Sequence, residues 1–152
     1  MNESGLSRSE MLALVGGVLL AVGLFLTWYH VDNKNSVING HPGPRDFTGW
    51  EVHTIARWFL LAGAVAPLIL AWIIYRGHAL SWPRGEMTAV AAIAALGLIL
   101  YMTLINKPGT TSGLTHLRYG VFVALLGAVL MLAGSATRAS SVERPRKPPG
   151  TI

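Results

Sequence analysis

The most chemically versatile side chains of this sequence lie in polar segments between apolar stretches. They are His30, Asp32, His41, Asp46, Glu51, His53 and His116. Imidazole and carboxylate groups are common ligands of zinc and copper. However, no two of the histidines have the HxH or HxxxH spacing that presents a ligand pair to one ion, and a bound haem normally needs histidines facing each other within helices. We therefore predict no metal site and no cofactor.

A catalytic nucleophile paired with a base is also missing from the sequence. Cysteine does not occur, which excludes disulfides and thiolate chemistry. Ser112 and His116 fall in one loop, but no Gly-x-Ser-x-Gly turn surrounds the serine. The run 107–111 lacks the Gly-Lys-Ser/Thr ending of a phosphate-binding loop. The sequence therefore predicts a protein that is not an enzyme.

Four uncharged stretches must position the polar segments. They cover 11–29, 58–75, 87–106 and 119–137, and none contains Asp, Glu, Lys, Arg or His. As helices they would each extend roughly 27–30 Å, which is the thickness of the hydrocarbon core of a bilayer. Charged residues make up 12% of the chain, against about 25% in soluble proteins, and the mean hydropathy is +0.49. We predict an all-α, four-helix transmembrane bundle over 1–137, with a structured loop at 30–57.

The basic residues indicate how such a bundle would be oriented. The side of the two termini holds Arg8, Arg76, Arg84, Arg138, Arg144, Arg146 and Lys147, and the opposite side holds Lys34, Arg45, Arg57, Lys107 and Arg118. Because basic residues favour the cytoplasmic side, we predict a multi-pass plasma-membrane protein with both termini in the cytoplasm. The net charge of +5 then reflects orientation, and no nucleic-acid partner is predicted.

Ionisable groups within the spans are the usual signature of ion-coupled transport, because burying them in lipid is costly. In this sequence the nearest candidates, Glu10 and Glu86, lie at the helix entrances. The leading functional hypothesis is therefore a non-enzymatic accessory or scaffold subunit that works through helix and outer-loop contacts. The alternative is a small permease or a lipid-binding membrane protein.

Small residues recur four positions apart along all four stretches. The sets are Gly17 and Ala21, Ala62 and Ala66, Ala91 and Ala95, and Gly120, Ala124 and Ala128. This spacing allows helix backbones to approach closely within a membrane. The faces serve either packing inside the bundle or contact with a second copy of the chain or another membrane protein.

The loop at 30–57 contains two local structural signals. Asn39-Gly40 favours a tight turn, with a weakly encoded hairpin around 36–40. Thr48-Gly49-Trp50-Glu51 fits a capping box, in which the threonine and glutamate side chains satisfy each other's backbone N–H groups, so a helix should begin near Gly49. We predict an outer interaction cap formed by Trp28, Trp50, Glu51 and Trp58.

The order of these features resembles small four-helix membrane proteins of actinobacteria. The resemblance is carried by Phe25-Leu26-Thr27-Trp28-Tyr29 before the loop and by Thr48-Gly49-Trp50-Glu51 after it, and it covers the first half of the chain. It implies a topology and little chemistry. A looser similarity to claudin-like proteins rests on a tryptophan near the first helix, but the loop cysteines of that family and the leucine of its Gly-Leu-Trp segment are missing here, so barrier function is not implied.

The last segment, 138–152, is basic and rich in proline. It contains Arg144-Pro145-Arg146-Lys147-Pro148-Pro149, which predicts a disordered cytoplasmic tail. Next to a membrane, basic side chains attract anionic lipid head groups by about 1 kcal/mol each. We therefore predict lipid contacts for Arg138, Arg144, Arg146 and Lys147. Docking of the proline segment to a cytoplasmic partner is the alternative.

Overall fold

A computed structural model describes residues 6–78, 85–108 and 115–141, with side chains as far as Thr137. In chain order the elements are α1 (Arg8–Phe25), β1 (Thr27–Val31), β2 (Val37–Ile38), β3 (His41–Pro42), β4 (Arg45–Thr48), α2 (Gly49–Val52), α3 (Ala56–Tyr75), α4 (Glu86–Leu100), a π-helical turn (Tyr101–Ile105), β5 (Thr115–Leu117) and α5 (Tyr119–Ser141). The structure is therefore mostly helical, with small sheets gathered at one end.

Four of the helical segments are long and apolar enough to cross a membrane, as the sequence predicts. They are Arg8–Phe25, Ala56–Tyr75, Glu86–Ile105 and Tyr119–Thr137, with mean hydropathies between 1.7 and 2.3. Large apolar side chains such as Val90, Ile93 and Leu104 point away from the protein interior on α4 and the π-helical turn. Exposed apolar side chains of this kind suit contact with lipid chains, where burial against protein is not needed.

The chain is mostly helical, as predicted, but it is not all-α, because it also contains small sheets. The first helix ends at Phe25 and not at residue 29, and Thr27–Val31 forms the central strand of a three-stranded antiparallel sheet in the order β4-β1-β5. The segment Thr-Trp-Tyr-His-Val is rich in β-branched and aromatic residues, which favour strands. An apolar run alone does not distinguish such a strand from the end of a membrane helix.

The predicted hairpin is present as β2 and β3. Val37 pairs with Pro42 and Ile38 with His41, which leaves Asn39 and Gly40 as a two-residue turn. Both turn residues have positive φ, 50° and 82°, as a type I′ turn requires. The side-chain amide of Asn39 donates to the carbonyls of Glu51 (2.7 Å) and Val52 (2.9 Å), which fixes the hairpin against the end of α2.

Close contact between glycines brings α1 and α5 together along most of their length. A Cβ added to Gly127 would meet the backbone oxygen of Gly16 at 2.6 Å, and one added to Gly23 would meet the backbone nitrogen of Ala124 at 2.7 Å. On the other side of α1, Gly17 packs against Ala64 and Pro67 of α3. The small-residue faces of α1 and α5 are therefore used inside the bundle.

Two further helix boundaries differ from the prediction. At the N-terminal end, Ser7 and Glu10 form a capping box, so α1 begins at Arg8. At the C-terminal end, α5 continues to Ser141, so the predicted tail cannot begin at residue 138. Arg138 lies in this helix without a described side chain, and Arg144, Arg146 and Lys147 lie outside the described residues.

Candidate functional site

The polar and aromatic side chains singled out from the sequence gather at one end of the bundle. We call residues 27–55 and 115–118 the cap. This is the end at which α1 and the π-helical turn finish and at which α3 and α5 begin. The backbone N–H of Arg118 donates to the carbonyl of Trp28 at 2.7 Å, so the two segments of the cap are joined directly before α5 begins.

Trp28 holds the cap onto the helices. Its side chain is 0% exposed, and its indole N–H donates to the carbonyl of Gly23 at 2.7 Å. Gly49 lies directly against the indole, because a Cβ at that position would come within 2.5 Å of Cε2. Trp28 was predicted to belong to an outer interaction cap, but its complete burial makes it a positioning residue that no partner can contact.

Trp50 and Trp58, two further predicted cap residues, belong to an aromatic collar with Phe25 and Arg57. The Phe25 and Trp50 rings stack with centroids 5.1 Å apart, and Trp58 meets Trp50 edge-on at 5.2 Å. The Arg57 guanidinium lies 4.7 Å from the centroid of Trp50, and its Nη1 donates to the Trp50 carbonyl. Trp58 is 57% exposed. Amphipathic rings with a nearby cation are typical of the membrane–water interface.

Glu51, the fourth predicted cap residue, makes the predicted capping box. It accepts from the backbone N–H of Thr48 at 3.0 Å, and its own N–H donates to the Thr48 hydroxyl at 3.2 Å. Its carboxylate also pairs with Arg45 at 2.9 Å. The Thr48 backbone hydrogen bond and the Arg45 charge together hold the pKa of Glu51 below its ordinary value. Glu51 is thus engaged within the cap, linking α2 to β4.

A row of four ionisable side chains crosses the three-stranded sheet. The strand register places His30 opposite both Asp46 and His116. His30 Nδ1 lies 2.5 Å from Asp46, His30 Nε2 lies 2.8 Å from Asp32, and His116 Nε2 lies 3.1 Å from the other Asp32 oxygen. We call Asp46, His30, Asp32 and His116 the histidine row. It joins all three strands and therefore both loops of the cap.

The histidine row works as a set of charge-assisted contacts. The hydrogen bond to Asp46, followed by the interaction with Asp32, raises the pKa of His30. With a carboxylate at each ring nitrogen, the doubly protonated imidazolium can donate to both. Over the part of the chain that the structure describes, no group of three His, Cys, Asp or Glu side chains is arranged to hold a metal ion.

His53 is the functional candidate that sequence reasoning undervalued. It is 9% exposed, and its Nε2 lies 3.1 Å from the Tyr29 hydroxyl, which itself donates to the Met102 carbonyl at 3.3 Å. A neutral imidazole donates from one ring nitrogen and accepts at the other, so the hydrogen bond between His53 Nε2 and the Tyr29 hydroxyl can run in either direction, according to the tautomer. Burial lowers the pKa of His53 to about 4 and raises that of Tyr29. His53 is therefore neutral at physiological pH.

Two shallow clefts meet at His53. The first, about 280 Å³, lies between the hairpin and the end of the π-helical turn, and the second, about 260 Å³, descends toward α4. Val52, His53 and Asn106 line both clefts. At the opposite end of the bundle, a cavity of about 20 Å³ lies beside Glu10, Thr88 and Ser135, which is room for about one water molecule. A further open cleft of about 400 Å³ lies at the end of α3, beside Trp72, Ile73, Arg76 and His78, so open space occurs at both ends of the bundle.

The sequence was compared with protein-family models, curated proteins and solved structures, and no match was found in any of the three comparisons. The resemblance to small actinobacterial membrane proteins thus stays a prediction. Function has to be inferred from the geometry of the cap and the bundle.

Proposed function

We propose that this chain is an integral membrane protein that serves as a non-enzymatic accessory or scaffold subunit, with the cap as its docking surface. The observation that carries the proposal is the sheet β4-β1-β5, which ties both loops of the cap to the end of α1. On this sheet the histidine row offers partly exposed carboxylate and imidazole groups at fixed separations. A pre-ordered polar surface of this kind loses little entropy when a partner binds.

The packing of the helices supports a role that depends on the protein surface and not on a pathway for substrate through the bundle. Ala124 and Ala128 of α5 are fully buried, and the glycines of α1 lie against backbone atoms of neighbouring helices. The cavity near Glu10 has room for about one water molecule, far less than the several hundred Å³ typical of ligand sites. This close packing supports the proposal of a role other than transport.

The proposed orientation puts the cap outside the cell and both termini in the cytoplasm of a plasma-membrane protein. Its support is the excess of basic residues at the end opposite the cap. The proposed partners are the bilayer and another membrane protein or a second copy of the chain. The basic residues of the C-terminal segment are proposed to contact anionic lipid head groups.

Site-specific photocrosslinking in living cells tests the docking role. A photoreactive amino acid would replace Lys34, which is exposed in the cap but outside the histidine row, and in a matched variant His78, which is exposed at the opposite end. We expect one discrete adduct from position 34, identified by mass spectrometry, and none of the same mass from position 78. A chain that stays uncrosslinked at position 34, while native-gel migration shows a solitary protein, contradicts the proposal.

A small permease is the second candidate, favoured by the buried Glu10 beside the cavity. It would need an intramembrane or near-membrane carboxyl group that changes its interactions during transport. Substrate flux in proteoliposomes that is lost in Glu10→Gln and retained in Glu86→Gln would favour this candidate. Glu86 is the matched control because it lies exposed at the start of α4.

A further inference from the structure

The two clefts that meet at His53 form one groove with a gradient of polarity. Its upper part lies between the hairpin and Asn106, with the polar groups of Asn39 and His53 along it. Its lower part runs over Leu98, Tyr101 and Met102, at the end of the segment Glu86–Ile105 that is apolar enough to cross a membrane. The groove therefore begins in the polar cap and ends among side chains suited to lipid.

Two side chains at the junction of the two clefts keep polar groups that can hydrogen-bond to a ligand. Within the described residues, the side-chain amide of Asn106 makes no hydrogen bond and is exposed. His53 uses Nε2 for Tyr29, and its Nδ1 makes no hydrogen bond within the described residues. The Asn106 amide and the neutral His53 imidazole can each donate and accept hydrogen bonds. Hydroxyl groups of a ligand also donate and accept, so they match this pair of side chains.

Charge is absent from the walls of this groove. No Lys, Arg, Asp or Glu lines either cleft, although Arg57 and Lys107 each adjoin a lining residue in the sequence. A phosphate group would find no cation among the lining side chains to pair with its charge. An uncharged head group can instead exchange its hydrogen bonds with water for hydrogen bonds with Asn106 and His53.

We propose that the groove binds one lipid of the adjacent leaflet with an uncharged, hydroxyl-rich head group, such as a glycosyl diacylglycerol. The head group lies between the hairpin and Asn106, and one acyl chain follows Leu98 and Tyr101. Each cleft alone is smaller than a typical ligand site of about 300–1,000 Å³, but the two together reach that range. The π-helical turn, a feature often found at functional sites, forms the floor between them.

Native mass spectrometry of the full chain released from detergent micelles tests this site. Three probe lipids with identical acyl chains would be compared at equal concentration: glucosyl diacylglycerol, phosphatidylcholine and phosphatidylglycerol. We expect a single glucosyl diacylglycerol adduct, held about tenfold more tightly than phosphatidylcholine, which is the effect of one to two hydrogen bonds. In Asn106→Leu the preference should disappear. Asn35→Leu, which alters an exposed asparagine outside the groove, should keep it.

His53→Phe provides a second variant that keeps an aromatic ring but removes the ring nitrogens, with thermal unfolding as a check that the cap is folded. It should lose the preference for the glycolipid as Asn106→Leu does. Equal retention of all three lipids, or a preference unaffected by both variants, overturns the proposal. A preference for phosphatidylglycerol that is lost in Lys107→Gln also overturns it. The lipid site does not depend on the docking role, because Asn106→Leu should leave crosslinking from position 34 unchanged.

Discussion

The indole N–H of Trp28 donates to the carbonyl of Gly23, so the first turn of chain beyond α1 folds back onto the helix that it leaves. Carbonyl groups in the last turn of a helix have no partner within the helix. The Gly23 carbonyl accepts from the backbone N–H of Leu26 at 3.2 Å and, as a second hydrogen bond, from the Trp28 indole at 2.7 Å. Trp28 also lies in the central strand of the cap, so one residue links bundle and sheet.

The first prediction concerns the contact between Trp28 and Gly49. Gly49→Ala would place a methyl group within van der Waals overlap of the indole, so we expect a loss of about 1–3 kcal/mol in the free energy of unfolding. Trp28→Phe removes the hydrogen bond and also the indole atoms that the new methyl group would meet, and by itself should cost about 1–2 kcal/mol. Thermal unfolding in detergent measures both. Recovery of stability in the double variant, relative to the sum of the two losses, would confirm that the residues act on one contact.

A second prediction contrasts two helical glycines. Gly127→Ala should destabilise the bundle by about 1–3 kcal/mol, because the new methyl group would overlap backbone atoms of Gly16. Gly97→Ala enters open space on α4 and should stabilise the helix by about 0.5–1 kcal/mol. Denaturation in detergent, followed by circular dichroism, compares the two. Equal effects of the two substitutions would contradict the close approach of α1 and α5.

Much of this architecture could be predicted from local sequence patterns. Uncharged stretches locate the four helices to within a few residues, and Thr48 with Glu51 predicts the start of α2 because a capping box depends on four consecutive residues. Asn39-Gly40 similarly predicts the hairpin. These features need no knowledge of how distant segments pack.

The cap sheet and the histidine row depend on pairing between distant segments. His30 meets Asp46 across one strand pair and His116 across another, and no spacing within the sequence specifies that register. His30 is 16 positions from Asp46 and 86 positions from His116. Short spacings such as HxH and HxxxH therefore do not reveal the histidine row. Burial of Trp28 was missed for the same reason, since Gly49 and Gly120 enclose it only after the sheet has formed.

The third prediction is that acid destabilises the fold through His53. Its pKa is about 4 in the folded protein and about 6.5 when exposed, so between these values the unfolded chain binds a proton that the native chain does not. Stability is therefore fully present above pH 6.5 and is lost as the pH falls toward 4, by about 3 kcal/mol in total. Thermal unfolding across this range measures the loss. His53→Gln, which cannot titrate, should remove most of the dependence, and an unchanged slope would contradict a buried neutral histidine.

The fourth prediction is that the cap sheet loses stability as the pH rises, which is the opposite direction to the effect of His53 and occurs in a different pH range. Asp46 and Asp32 raise the pKa of His30, so its contribution is present below the ordinary value near 6.5 and is lost as the pH rises through the higher folded value. We expect hydrogen exchange of the β1, β4 and β5 amides, corrected for intrinsic rates, to become less protected as the pH rises above 6.5. His30→Gln should remove this change. The amides of α5 provide the internal control, and an identical trend in α5 would contradict a local effect.

The fifth prediction concerns orientation and uses the natural absence of cysteine from the sequence. Asn35→Cys places a thiol on the exposed loop of the cap, and His78→Cys places one at the opposite end of the bundle. If basic residues hold the latter end in the cytoplasm, a membrane-impermeant maleimide applied to intact cells should label position 35 and spare position 78. Both should react after permeabilisation, which shows that the thiols are accessible. Labelling of position 78 alone in intact cells would reverse the proposed orientation, and labelling of both would contradict a bundle whose two ends lie on opposite sides of a membrane.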